Sequence, residues 1–438
     1  MNIPLRVLPS CRSILPYVFS GAVLLSARAY AQSGNPVFHV SADRPGVSTI
    51  PAHYPSLDSI NRRIITLVNH HPHLARLDTI GHSATLKLPL LAIKLSDNAH
   101  TREDESTLLI TALHHAREPA GMLAAIAVAE SLLTTYPNSP ASRMLLDNLA
   151  IWFVPVVNPD GYRYMHEHEF SMPWWRKNMR DNDGDGRMNP SVDGVDLNRN
   201  YDFNWQDGDG VQPLSWFYRG DHPGSEPEVA AVQKLALREN IAAGLSLHSY
   251  GEAVLYPWGN FYPPPDQKMI ITLAQRLGQV MRKQSDGTAY RIWPLNGRAG
   301  QSSVWMYGRL RALDYILEIG TTWFPPVADL QRIEMQLWQA VEVLGRAVLF
   351  EGIGGHVLDA ATGQPLVCEI RVQGLEAGYV AARVSEPVWG RFERILQPGR
   401  YTVSFFREGY QPYVRKDVKV NSGAKTNFTV YLHRTAGR

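Results

Sequence analysis

From Tyr54 to about Gly352, short apolar runs alternate with stretches whose apolar residues recur at helical spacing. Ser106–Ala112 reads as a buried strand, and Gly121–Thr134 as a helix with Leu123 and Ala127 on its apolar side. Ile151–Val157 is a second strand. Ser225-Glu226-Pro227-Glu228 has the form of a capping box, with Ser225 as N-cap and Glu228 three residues on, opening a helix through Glu239. Ile241–Leu247 and Leu313–Ile319 are further strands, and Leu330–Phe350 is a long helix. Strands separated by helices predict an α/β fold, its sheet covered on both faces.

After Gly352 the texture changes. Gly354–Val372, Arg400–Phe406, Tyr413–Val420 and Asn427–Leu432 read as strands, separated by turn signals at Thr362-Gly363, Pro398-Gly399, Glu408-Gly409 and Asn421-Ser422-Gly423. This spacing predicts a small β-sandwich over residues 353–438. At the other end, Arg6 and Arg12 precede a short apolar stretch, Ile14–Ala27, and Ala29-Tyr30-Ala31 presents small residues where a signal peptidase reads. Residues 1–31 are therefore expected to be a secretory signal, cleaved after Ala31, and the protein to be secreted or periplasmic. Polar residues 32–53 read as an extended leader. No later segment is long and apolar enough to span a bilayer. Of the two cysteines, Cys11 and Cys368, cleavage removes the first, so a large core must do without disulfides. Lys+Arg 43 against Asp+Glu 41 leaves a net charge of +2, which makes no electrostatic case for nucleic acid or for an anionic membrane.

Candidate chemistry gathers at strand ends. His115-Ala116-Arg117-Glu118 follows the Ser106–Ala112 strand, where open α/β sheets place their ligands. His248 ends the strand that carries Leu245 and Leu247. Two His and a carboxylate form a recurring catalytic zinc set that leaves one position for water. Glu318, inside Tyr315-Ile316-Leu317-Glu318-Ile319, is an acid in an apolar strand end. Burying a charge there needs a reason: a structural ion pair, or a general base whose pKa burial lifts. Asn198 and Arg199, within Gly194–Asn200, suit a carboxylate clamp, and Arg176 lies beside Trp174 and Trp175.

Taken together, and with Asn158-Pro159-Asp160-Gly161-Tyr162 and Ser225–Glu228 falling in order between them, these motifs resemble the funnelin, carboxypeptidase A-like zinc metallocarboxypeptidases over residues 54–352. The resemblance implies a mixed, largely parallel sheet flanked by helices. It implies one zinc ion held by His115, Glu118 and His248, with Glu318 as general base and Arg176 stabilising the oxyanion. Asn198 and Arg199 would hold the substrate's terminal carboxylate, and Arg117, Ser249 and Tyr250 would line the preceding subsites. The expected substrates are peptide or protein C-termini, with neither nucleic acid nor stable membrane insertion involved. The register between His and Glu favours His115 over its neighbour His114. The part after 352 resembles the transthyretin-like domain that follows some catalytic domains of this family.

The match also departs. Counting back 22 residues from Glu318, where the family has a mobile Tyr, lands on Asn296, with Tyr290 and Tyr307 out of register. Ser303, near the position of side-chain preference, points to no simple basic or aromatic preference, whereas Arg298, if it faced the pocket, would favour an acidic last residue. Asp181, Asp183 and Asp185, followed by Gly186, copy the first half of a calcium loop, although position 12 is Val192. Two further readings compete with an exopeptidase: a zinc amidohydrolase acting on bacterial cell-wall peptides, and a non-catalytic binding protein on the same scaffold. The presence of Glu318 and all three ligands weighs against the second of these.

Overall fold

The computed structural model describes residues 50–435, apart from Phe170, 259–261 and 296–298. The signal and most of the leader, together with Asn296 and Arg298, lie outside the described residues. The chain forms α1 (Leu57–His70), β1 (Ala75–His82), β2 (Pro89–Leu95), β3 (Ser106–Ala112), α2 (Pro119–Thr135), α3 (Pro140–Leu146), β4 (Leu149–Val154) and α4 (Pro159–Glu167). It continues through α5 (Pro227–Glu239), β5 (Ala243–His248), β6 (Ala253–Tyr256), α6 (Gln267–Val280), β7 (Arg291–Pro294), α7 (Ser302–Leu310), β8 (Leu313–Glu318) and α8 (Val327–Phe350).

Eight strands form one mixed sheet in the order β1-β2-β4-β3-β5-β8-β6-β7. Its centre, β4-β3-β5-β8, is parallel throughout. Those four strands are buried along almost their whole length, as strands covered on both faces must be. Alternation along β5 sends Leu245 and Leu247 to one face and Ser246 and His248 to the other. On the first face α2 comes so close that a Cβ added at Gly121 would stand 2.8 Å from Leu247 Cβ, so glycine is required there. The start of α7 covers the other face, with Ser302 Oγ 3.3 Å from Ser246 Oγ.

One expected local feature takes another form. The capping box does not close: α5 begins at Pro227 with Glu226 as N-cap, and Ser225 Oγ donates to Glu226 instead. Glu228 is buried and accepts the N–H of Ala84 at 3.0 Å. Among the described residues no single helix is long and apolar enough to cross a membrane.

Beyond α8 the chain forms β9 (Ile353–Asp359), β10 (Glu369–Val372), β11 (Arg383–Val384), β12 (Arg391–Arg394), β13 (Gly399–Phe406), β14 (Tyr413–Val420) and β15 (Thr426–Leu432). They make two sheets, β11-β10-β13-β14 and β12-β9-β15, closed around Ile353, Val357, Ile370, Phe392, Phe405 and Val430. The free Cys368 is buried there. Arg383 runs from this sandwich to the base of the large sheet. It donates to the carbonyls of Ile241 (2.8 Å), Leu310 (2.9 Å) and Asn240 (2.9 Å), and it pairs with Glu393.

Candidate metal centre and its surroundings

Three parallel strand ends converge on one point. β3 ends at Ala112, and Leu113 then takes a left-handed conformation, φ 56°, at a cost of about 1–2 kcal/mol. Two backbone bonds hold this turn, Val157 N–H to Ala112 O at 3.1 Å and Asn158 N–H to Leu113 O at 3.0 Å. The turn delivers His115 and then Glu118, which is the N-cap of α2 with Pro119 at the first helical position. A carboxylate at a helix N-terminus is stabilised by the helix dipole. β5 delivers His248, and in the parallel register Glu318 at the end of β8 stands opposite it.

His115 Nδ1 lies 2.9 Å from Glu118 Oε1, His248 Nδ1 lies 2.9 Å from Glu118 Oε2, and the two Nδ1 atoms are 3.1 Å apart. Two ring nitrogens at that distance share at most one proton, whereas a cation between them requires none. The separations approach the edge of about 3.3 Å set by tetrahedral zinc with bonds of about 2.0 Å. All three residues are buried, and their type and geometry fit zinc. Burial lowers the His248 pKa to about 4, which keeps its ring neutral. Burial pushes the Glu118 carboxyl up, but the charge and hydrogen bond of His115 outweigh it and hold Glu118 well below the usual carboxylate range. His114 stays outside this group. Its Nε2 meets Tyr201 Oη at 2.8 Å, and its ring stacks on His248.

Asp196, which the sequence reading passed over, ties the surroundings together. It is fully buried. Its Oδ1 lies 3.1 Å from His115 Nε2, and its Oδ2 accepts Arg176 Nε and Nη2 at 2.9 and 2.8 Å. Burial would raise its pKa, but Arg176 and then His115 hold it well below the usual range. A carboxylate on the far nitrogen of a liganding His fixes the ring's tautomer and orientation. Arg176 also reaches within 3.6 Å of Glu118. The signal for Asp196 lay in the sequence: an acid between Val195 and Leu197, two residues before Asn198.

The other expected residues surround this core. Asn198 Nδ2 faces His248 Nε2 at 3.1 Å, and its Oδ1 accepts the N–H of Ser302 at 2.9 Å. Arg199 lies over the ring of Phe217 at 5.4 Å. Arg117 is buried over Trp323 at 4.2 Å; burial and then Arg176 lower its pKa to about 10. Ser249 N–H points at Glu118 Oε2 at 3.3 Å, and Tyr250 is 45% exposed beside Trp323. Among the described residues, the buried Arg117 Nε and Ser249 Oγ have no hydrogen-bond partner, which is unusual away from binding sites. Tyr290 and Tyr307 are both buried; Tyr290 Oη accepts Gly320 N–H and Tyr307 bonds to Asp266, so neither is placed as a mobile cap. In the acidic loop the grouped carboxylates are Asp181, Asp183 and Asp193, with Asp185 outside the group. Asp181 and Asp193 already accept backbone N–H groups, from Gly184 and Gly186 and from Asn182 and Asn189.

A family model described as zinc carboxypeptidase matches residues 60–340, more than half of the chain, and the protein belongs to that family. Carboxypeptidase A2 of Rattus norvegicus is 30% identical over 295 residues, covering 66% of this chain and 67% of the relative. Carboxypeptidase A4 of Mus musculus is 29% identical, covering 60% of this chain and 62% of the relative, so the alignments leave a third or more of these relatives unmatched. Thrombin activatable fibrinolysis inhibitor superposes with a TM-score of 0.60 at 25% identity, over 67% of this chain and 73% of its own. Carboxypeptidase A from Helicoverpa armigera shares the fold with a TM-score of 0.58 at 22% identity, over 73% of this chain and 77% of its own.

Proposed function

We propose that the protein is a zinc-dependent metallocarboxypeptidase that hydrolyses the C-terminal peptide bond of peptides or proteins. The observation that carries this is the buried group of His115, Glu118 and His248, with Glu318 opposite His248 on the adjoining strand. Zinc held by that group would supply Lewis acidity and bring the pKa of a bound water to about 7. Glu318 accepts the proton of the attacking water and passes it to the leaving amine. Arg176, its other donors locked on Asp196, turns its remaining Nη1 toward the developing oxyanion; one such donor is worth about 3–4 kcal/mol in well-studied hydrolases. Asn198 and Arg199 hold the terminal carboxylate, which confines cleavage to the last bond. Arg117, Ser249 and Tyr250 line the sites for the preceding residues, and the unpartnered Nε and Oγ of the first two are ready donors to a peptide backbone.

The amidohydrolase reading is not favoured, because the relatives that share the catalytic region at about 30% identity are carboxypeptidases. Calcium has no part in the proposal. Export rests on residues 1–31 and predicts a mature N-terminus at Gln32, which N-terminal sequencing would read. The sandwich after 352 is proposed as a transthyretin-like domain with a supporting role. The decisive assay is a peptide panel read by mass spectrometry on zinc-loaded protein. Loss of a single C-terminal residue supports the reading, and internal cleavage or none overturns it.

A further inference from the structure

Asp314 stands on β8 four residues before Glu318, so alternation puts both carboxylates on one face of the sheet. On β5, Gly244 is opposite Asp314 just as His248 is opposite Glu318. Four residues of strand set the two acids about 13 Å apart. The first turn of α7 crosses this face between them. Ser302 N–H donates to Asn198 Oδ1 at 2.9 Å, and the next residue, Ser303, donates its hydroxyl to Asp314. A single peptide unit therefore links the proposed carboxylate clamp to the buried acid.

Among the described residues no cation pairs with Asp314. Glu226 pairs with Arg180, Glu393 with Arg383 and Arg391, and Asp196 with Arg176. Among the described residues the only hydrogen bond to the Asp314 carboxyl comes from Ser303, and burial lifts its pKa to about 7. An isolated buried carboxylate is costly, and a neutral side chain would avoid that cost. The chain accepts a second constraint to keep it: a Cβ at Gly244 would lie 2.3 Å from Asp314 Oδ1.

We propose that Asp314 selects the side chain of the released residue, and that the protein removes C-terminal arginine and lysine in preference to neutral residues. The inference rests on the carboxypeptidase reading above. With the terminal carboxylate at Asn198 and Arg199, beside the turn that carries Ser303, a long side chain ending in a cation would neutralise Asp314. Ser303, neutral in sequence, acts here as the acid's hydrogen-bond donor.

The test uses zinc-loaded protein and peptides that differ only in a last residue of Arg, Lys, Leu or Glu. Wild type is expected to show kcat/KM for Arg and Lys on the order of 100-fold above Leu, and Asp314→Asn to collapse that ratio toward one. Preference for Leu or Glu in wild type, or an Arg-to-Leu ratio unchanged in Asp314→Asn, overturns this inference and leaves the carboxypeptidase reading standing. Release of no C-terminal residue from any peptide overturns both. If Asp314→Asn does not fold, product inhibition of wild type replaces it: free arginine and lysine should inhibit far more strongly than leucine, and equal inhibition overturns the proposal.

Discussion

Replacing Asp196 with Asn probes the support of the metal centre rather than the centre itself. The carboxylate accepts from three directions: His115 Nε2 at 3.1 Å, the Asn198 N–H at 3.0 Å, and Arg176 through two bonds at 2.9 and 2.8 Å. Asn keeps the shape but turns one acceptor into an NH2 donor. Facing Arg176, that donor meets two others; facing His115, it meets the ring N–H that a zinc-bound tautomer requires. Loss of such an outer partner weakens metal affinity about 10- to 100-fold, or about 1.4–2.7 kcal/mol. Arg176 would also be left with Glu118 at 3.6 Å as its nearest anion. Breaking a buried pair costs about 3–5 kcal/mol, and the remaining Glu118 contact places the expected loss of stability at the lower end. Zinc affinity is read by competition with a chelating dye, and stability by urea denaturation of the metal-free protein. Zinc binding within twofold of wild type would refute the argument that Asp196 orients His115.

Three further substitutions separate chemistry from support. Glu318→Gln should bind zinc normally and lose turnover about 10²- to 10⁴-fold; turnover near wild type would remove Glu318 from the base role. Arg383→Met strips donors from three carbonyls and leaves Glu393 buried with Arg391 as its remaining ion pair, so urea denaturation should show a loss of about 3–5 kcal/mol, and a loss under about 1 kcal/mol would contradict the role of Arg383 in this seam. Burial raises the Glu228 pKa to about 8, so the folded chain holds a proton that the unfolded chain releases near pH 4.3. Stability should accordingly fall as pH rises from about 4.5 to 8, by a few kcal/mol at most, and Glu228→Gln should flatten that slope; an unchanged slope in denaturant midpoints at pH 5 and 8 would count against it.

Much of the site was legible because its ligands end apolar runs. Ser106–Ala112 forms the strand its pattern predicts, and His248 closes the strand whose apolar residues were read as Ile241–Leu247. Asp196 and Asp314 were missed for a shared reason: each is a single acid in an apolar setting, and its worth depends on a partner that the fold brings to it, His115 81 residues away for the first and Ser303 11 residues away for the second. Like Glu318, Asp314 is an acid inside an apolar strand, in Leu313-Asp314-Tyr315. The capping box failed because Glu228 found the Ala84 N–H, a contact 144 residues away. The short strands β11 and β12 carry too few residues for periodicity to mark, and pairing with β10 and β9 defines them.

Arg383 bears on how the protein is made. The strands that carry His248 and Glu318 leave the ribosome before the residue that covers the carbonyls just ahead of them, at Asn240, Ile241 and Leu310. Until residue 383 emerges, the back of the catalytic sheet has bare acceptors and no arginine to seal them. A product shortened before residue 383 would leave those three carbonyls without this donor, whereas one shortened later in the sandwich would keep it.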